Sequence, residues 1–157
     1  MNTDDLINDL LNAGLSGKYG KETAEARWVR IWVRDKFCCV YCHADLLSDL
    51  IRMSSCQIDH LLPRSKYKQY DNKESDSNLV LSCFTCNQIK RAFDPLTKLS
   101  EEERTDVIQG QLENHKEKII NVCRNRIKDS RRKKEEILDN SLMVLKKYGI
   151  SINTGSK

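Results

Sequence analysis

The sequence predicts an α+β chain, mostly helical, in which a small core of two strands and one helix is stapled by a four-cysteine zinc and flanked by helical N- and C-terminal extensions. Three observations carry this expectation. Two C-x2-C pairs, Cys39/Cys42 and Cys83/Cys86, are separated by 40 residues, and two such pairs can supply the four thiolates of a tetrahedral zinc. Short strand-like segments lie between the pairs, at 56–60 and 79–81, the first alternating apolar with polar residues. Apolar residues recur at helical spacing on both sides of that region. The expected division is 1–35 for the N-terminal extension, 36–94 for the core, and 95–157 for a C-terminal extension with a basic face.

Composition narrows the setting. The chain has 157 residues, 39% hydrophobic and 32% charged, which suits a folded domain rather than a disordered one. No run of 18 apolar residues exists, so no membrane-spanning helix is expected. The first residues include Asp4 and Asp5, whereas a secretory leader begins basic; the expected location is cytoplasmic. There, seven cysteines do not make a disulfide framework, because thiol pools keep them reduced. The competing readings of the two pairs are four unrelated buried thiols or a redox C-x2-C. Cys38 could exchange with Cys39 as a ligand, although the two-residue spacing to Cys42 favours Cys39. Cys56 and Cys123 read as small core residues. A filled four-thiolate site would take the formal net charge from +4 to +2.

The elements follow in order. Thr3 is the expected cap of a first helix, with Asp4 and Asp5 in its first turn and Gly14 at its end. Gly14, Gly17 and Gly20 form a joint. A second helix is expected over 22–35, with Ala24, Trp28, Ile31 and Trp32 as its apolar stripe. After the first cysteine pair, a strand is expected at 56–60, a long connection at 61–77, and a second strand at 79–81. A connection of that length is usually functional. A short helix begins near Asn87. Ser100 with Glu103 forms a capping box, so a helix starts at about Glu101, and Gly110 breaks it. Beyond it, Ile108, Leu112, Ile119, Ile120, Cys123, Ile127, Ile137 and Leu138 share one helical face, and Arg124, Lys128, Arg131 and Arg132 the opposite one. Asp139-Asn140-Ser141 is the expected joint before a last short helix that ends at Gly149.

The stretch between residues 34 and 91 resembles the HNH endonuclease superfamily, the ββα-metal nucleases. The matching residues are Arg34-Asp35-x-Phe37-x-Cys39-Val40-Tyr41-Cys42, Ile58-Asp59-His60-Leu61-Leu62-Pro63, Asn78-Leu79-Val80, and Cys83-x-x-Cys86-Asn87-x-x-Lys90. The resemblance implies a ββα-metal core and metal-dependent hydrolysis of phosphodiester bonds in DNA. It implies His60 as general base, since an imidazole titrates near neutral pH and can deprotonate water. It implies Asp59 and Asn87 as ligands of one Mg2+ or Mn2+, hard cations that take oxygen donors, and Asn78 as the residue that holds the loop and orients His60. Zn2+ would be structural and the second cation catalytic. Asn87 stands where many members carry His, and the middle loop lacks the glycines common there.

Charge distribution adds a candidate polyanion-binding face, the alternative being a solvated helix face. Residues 115–134 hold nine Lys or Arg and two acidic residues, a local +7 that leaves −3 for the rest of the chain. Such concentration builds a field that attracts polyanions. Arg64, Lys90 and Arg91 near the core, and Arg124, Lys128, Arg131 and Arg132 beyond it, are the candidate phosphate contacts. The alternatives to a nuclease acting alone are a non-catalytic zinc module that binds nucleic acid or protein, and a nuclease subunit of a larger defence complex. The flanking helices are candidates for a homodimer or partner-subunit contact. His43 and His115 have no assigned role.

Overall fold

A computed structural model describes residues 2–15, 22–67 and 75–150. The order of elements is helix α1 (Thr3–Asn12), α2 (Glu22–Arg34), a short α3 (Leu50–Ser54), strand β1 (Cys56–His60), strand β2 (Leu79–Cys83), α4 (Phe84–Lys90), a single 3-10 turn (Pro95–Lys98), α5 (Glu101–Ile108) and α6 (Leu112–Lys147). Among the described residues the chain is thus mostly helical with one small antiparallel hairpin, and the ββα-metal fold class expected from the sequence holds.

Local chemistry explains most boundaries. The cap of α1 is Asn2 rather than Thr3: its side chain accepts from the Asp4 N–H at 3.2 Å. At the other end Gly14 takes φ +85°, which a side chain would oppose. Gly17 and Gly20 lie outside the described residues. The Ser100–Glu103 capping box is present, with both reciprocal bonds made, and Gly110 at φ +97° ends that helical stretch. The Asp49 side chain caps α3 by accepting from Arg52 N–H at 2.8 Å. Helix α3 is too short for its sequence to show a periodic pattern.

Strands β1 and β2 pair antiparallel in the register Cys56↔Cys83, Gln57↔Ser82, Ile58↔Leu81, Asp59↔Val80 and His60↔Leu79. A lone two-strand ribbon is marginal in water, so its outer edge has to be satisfied. Asp35 does this from the end of α2: its Oδ2 accepts from Leu81 N–H at 2.7 Å. Arg34, locked bidentate on Asp35, donates to the Leu79 carbonyl at 2.7 Å. Val40 N–H donates to the Leu81 carbonyl at 3.0 Å. Asp35 sits at the C-terminal edge of α2, its N–H still donating to the Ile31 carbonyl at 2.9 Å, and the positive φ of Lys36 and Phe37 turns the chain away from the helix.

Three further expectations are corrected. Helix α4 begins at Phe84, three residues before Asn87, because Cys83 is its cap and accepts from Cys86 N–H. The joint at 139–141 does not exist: α6 is one helix of 36 residues. Ser141 bonds within it, donating its hydroxyl to the Ile137 carbonyl at 2.7 Å, a local bond compatible with helix. The apolar face of α6 enters the core only through Leu112, Ile119, Ile120, Cys123 and Ile127; Ile108, Ile137 and Leu138 are exposed.

Among the described residues, α2 and the elements after it share one main core, while Ile7 of α1 and Val29 of α2 are buried outside it. Ile31 and Trp32 of α2, Leu46, Leu61 and Leu62, Leu79 to Leu81 of β2, Leu96, Val107 of α5, and the buried face of α6 form a single cluster. The hairpin and α4 alone could bury little apolar area, so the flanking helices supply the wall they pack against.

Candidate functional site

The two cysteine pairs converge. Cys39 and Cys42 occupy the turn that follows α2, and Cys83 and Cys86 the junction from β2 into α4. The four Sγ atoms lie within 4.8 Å of one another, with Cys42 and Cys83 at 3.9 Å. A zinc with Zn–S bonds of about 2.3 Å requires tetrahedral S···S edges of about 3.8 Å, so the donor set fits a structural zinc in type, number and spacing. All seven cysteines are free thiols. Hydrogen bonding inside the cluster divides it. The Cys39 thiol, then Cys83 and Cys86, hold Cys42 strongly toward thiolate. Cys83 is lowered to about 6, with the Cys39 thiol as the largest cause. Cys39 is pushed up chiefly by its bond to Cys42, and Cys86 chiefly by its bond to Cys39. Thiolates are the form that binds metal. Desolvation keeps the other buried thiol inert: Cys123 is raised to about 12.

The surroundings of the cluster come from α6. Arg131 directs Nη1 at Cys86 Sγ, 3.8 Å away, a cation beside a site whose four thiolates and zinc carry −2. Arg124 donates through Nε to the Val40 carbonyl at 2.8 Å inside the first knuckle, and through Nη1 to Glu117 and Asn121. The long helix is therefore bolted to the knuckle at two points.

The residues of the signature stand around the hairpin. His60 ends β1, half-buried, opposite Leu79. The buried Asn78 holds the loop after it: its Oδ1 accepts from Leu62 N–H and its backbone carbonyl from Leu61 N–H, both at 2.8 Å. Asp59 and His60 leave β1 on opposite faces. Asp59 is buried, and its Oδ2 accepts from Tyr41 Oη at 2.6 Å and pairs with Lys90 Nζ at 3.1 Å. Burial first, then the Asp59 charge, hold the Tyr41 phenol well above its ordinary value, so it remains a donor. Lys90 also donates to the His60 backbone carbonyl at 2.6 Å. Both of these Asp59 contacts use Oδ2, which leaves Oδ1 as the oxygen a cation would take. Asn87 lies half-buried inside α4, a helix packed against β1.

Several of the candidate phosphate contacts change character here. Lys90 is 2% exposed and fully engaged, so it is no phosphate contact. Arg124 is half-buried and committed to Val40, Glu117 and Asn121. Arg131 is half-buried against Cys86. Arg64, Arg91, Lys128 and Arg132 are exposed. Lys128 and Arg132 line a groove with Cys42, His43 and Glu135 along the knuckle side of α6. His115 pairs with Asp106 at 3.1 Å, joining α5 to α6. Tyr41 and the buried side of Lys90 are site features with no counterpart among the residues expected from the sequence. The signal that could have found Lys90 was spacing: it follows Cys86 by four residues and shares its buried face of α4.

Residues 39–93 match the family model of the HNH endonuclease. That span runs from the first knuckle cysteine to just past α4 and contains the four-cysteine cluster, Asp59, His60, Asn78 and Asn87. No curated protein matches the chain. Among the described residues no helix is long and apolar enough to cross a membrane.

Proposed function

We propose that the HNH domain at residues 39–93 is a metal-dependent endonuclease that hydrolyses phosphodiester bonds in DNA. The single observation that carries this reading is the union, in one matched span, of a zinc-type four-thiol cluster with a hairpin that ends in His60. His60 takes the proton from the attacking water through its imidazole. The water oxygen bonds to phosphorus, the bond to the 3′ oxygen breaks, and that oxygen leaves protonated by solvent. Asn78 and Lys90 fix the backbone on either side of that imidazole, through Leu62 N–H and the His60 carbonyl. A rigid base avoids the loss of rate that misplacement brings.

Asp59 and Asn87 fit a hard cation in donor chemistry, with one carboxylate oxygen and one amide oxygen. Bound there, Mg2+ or Mn2+ would neutralise the scissile phosphate and stabilise the departing oxygen. Zn2+ on Cys39, Cys42, Cys83 and Cys86 is structural in this reading. Lys128 and Arg132 hold the DNA backbone, with Arg64 and Arg91 nearer the hairpin, through sequence-independent contacts.

One observation favours a second reading, a zinc module that binds nucleic acid without cutting it: Asp59 already serves as the partner of Tyr41 and Lys90. Incubation of zinc-loaded protein with supercoiled plasmid in Mg2+ or Mn2+ separates the two. A nuclease gives relaxed or linear product whose formation is abolished by a chelator of the hard cation. Plasmid that is retarded on a gel yet intact in every cation gives the second reading its place.

A further inference from the structure

The last buried residue of α6 is Ile127, yet the helix continues for 20 residues, Lys128 to Lys147. A helical stretch of that length without a buried side chain has little to stabilise it beyond propensity. Its sequence nonetheless keeps an apolar stripe. At 100° per residue, Ile137, Val144 and Tyr148 fall on one line, and Leu138, Leu142 and Leu145 beside it. Ile137 is 64% and Leu138 57% exposed. The stripe continues the face that Ile119, Cys123 and Ile127 bury in the core. It is built as a packing face.

We propose that this stripe pairs with the same stripe of a second copy, antiparallel, about a two-fold axis near Ser141. Charge placement selects both occupant and direction. Glu135-Glu136 precede the stripe and Lys146-Lys147 flank its C-terminal end, before Tyr148. An antiparallel pair centred near Ser141 sets each Glu doublet level with the Lys doublet of the other copy, giving four Glu–Lys contacts by symmetry. On the helix surface Glu135 and Lys146 flank one side of the stripe, and Glu136 and Lys147 the other, which is the arrangement antiparallel helices bring together. A parallel pair would set Lys146-Lys147 level with its own copy, like charge against like. A two-fold axis makes the patch its own partner, so the contact closes at two chains and does not propagate. The paired segment is short, roughly 18 Å of helix, and buries on the order of 1,000 Å2 in all, the lower edge of specific interfaces. The dimer is therefore concentration-dependent, with a dissociation constant in the micromolar range. The two cores sit at opposite ends of the paired helices. Dimerisation of this kind is independent of whether the domain cuts DNA.

Sedimentation of the zinc-loaded full chain, over about 1 to 200 μM, tests it. The expected result is a monomer–dimer equilibrium. Leu138→Glu with Leu145→Glu leaves a monomer at every concentration, with unchanged zinc content. Glu135→Lys with Glu136→Lys weakens the dimer at least about tenfold, and adding Lys146→Glu with Lys147→Glu to that chain restores it. Restoration is specific to the antiparallel register. All the altered side chains lie beyond the buried core, and Leu138→Ala with Leu145→Ala is a gentler second variant should the Glu pair disturb folding. Wild type monomeric throughout overturns the proposal and leaves the stripe to another segment or protein. A dimer indifferent to Leu138 and Leu145, or one not restored by the second charge reversal, overturns it equally.

Discussion

Asp59 and Lys90 are the residues on which the hairpin depends most heavily for their size. A carboxylate and an ammonium are both buried, 3.1 Å apart, and each has a second neutral partner: Tyr41 Oη for Asp59, the His60 carbonyl for Lys90. Removing one member leaves the other buried and uncompensated, which costs about 3–5 kcal/mol. Lys90→Met, which keeps the aliphatic stem, should therefore lower the unfolding free energy by about that amount in urea titration. It should also loosen His60, so cleavage falls further than stability alone accounts for. Lys90→Met with wild-type stability would mean the pair is not closed in solution. The Asp-His pair and the loop Asn were legible in the sequence because the signature names them. The use of Oδ2 by Tyr41 and Lys90 was not, because it depends on which face of α4 meets β1, a tertiary fact that residue type disguises: a lysine reads as surface.

At the level of elements, the four thiols join the knuckle after α2 to the junction of β2 with α4. The knuckle after α2 meets the hairpin through Val40 N–H to the Leu81 carbonyl, through Tyr41 to Asp59, and through the sulfur cluster. Structural zinc contributes folding free energy directly. Zinc removal by a strong chelator, or Cys83→Ser, should abolish cooperative unfolding of the hairpin and α4 while α5 and the buried part of α6 retain helical signal. Acidification should act in the same direction. Protons compete with the metal for thiolates, so zinc affinity falls as pH falls. Zinc content measured across a pH series, alongside amide exchange in β1 and β2, checks both. Unchanged protection of β2 in zinc-free protein would contradict the staple. The spacing of the cysteines made the staple legible, and the alternation at 56–60 made β1 legible. The start of α4 and the unbroken length of α6 were not. A cysteine side chain caps α4, and Asp139-Asn140-Ser141 carries turn-forming residue types that tolerate an exposed helix when Ser141 bonds back to Ile137.

Across the whole molecule, positive charge divides into two uses. Composition located the basic segment, but only packing separates its members. Arg124, Lys128, Arg131 and Arg132 all line the groove beside the knuckle, but Arg124 and Arg131 are half-buried and tied to Val40 and Cys86, whereas Lys128 and Arg132 are exposed. DNA affinity should thus fall with salt, and Lys128→Ala or Arg132→Ala should each reduce the slope of log affinity against log salt by about 0.9. Arg124→Ala should instead lower thermal stability, since it unpins the Val40 carbonyl from α6. Fluorescence anisotropy on a short duplex at several salt concentrations distinguishes them; equal slopes for all three variants would contradict the division. The proposed chemistry itself is reached most directly by plasmid cleavage with His60→Ala against wild type, at equal zinc content and equal DNA affinity. With His60 as the base, the variant loses at least about a hundredfold in rate, the usual contribution of general-base catalysis. Equal rates for the two proteins would show that the imidazole takes no proton from the attacking water.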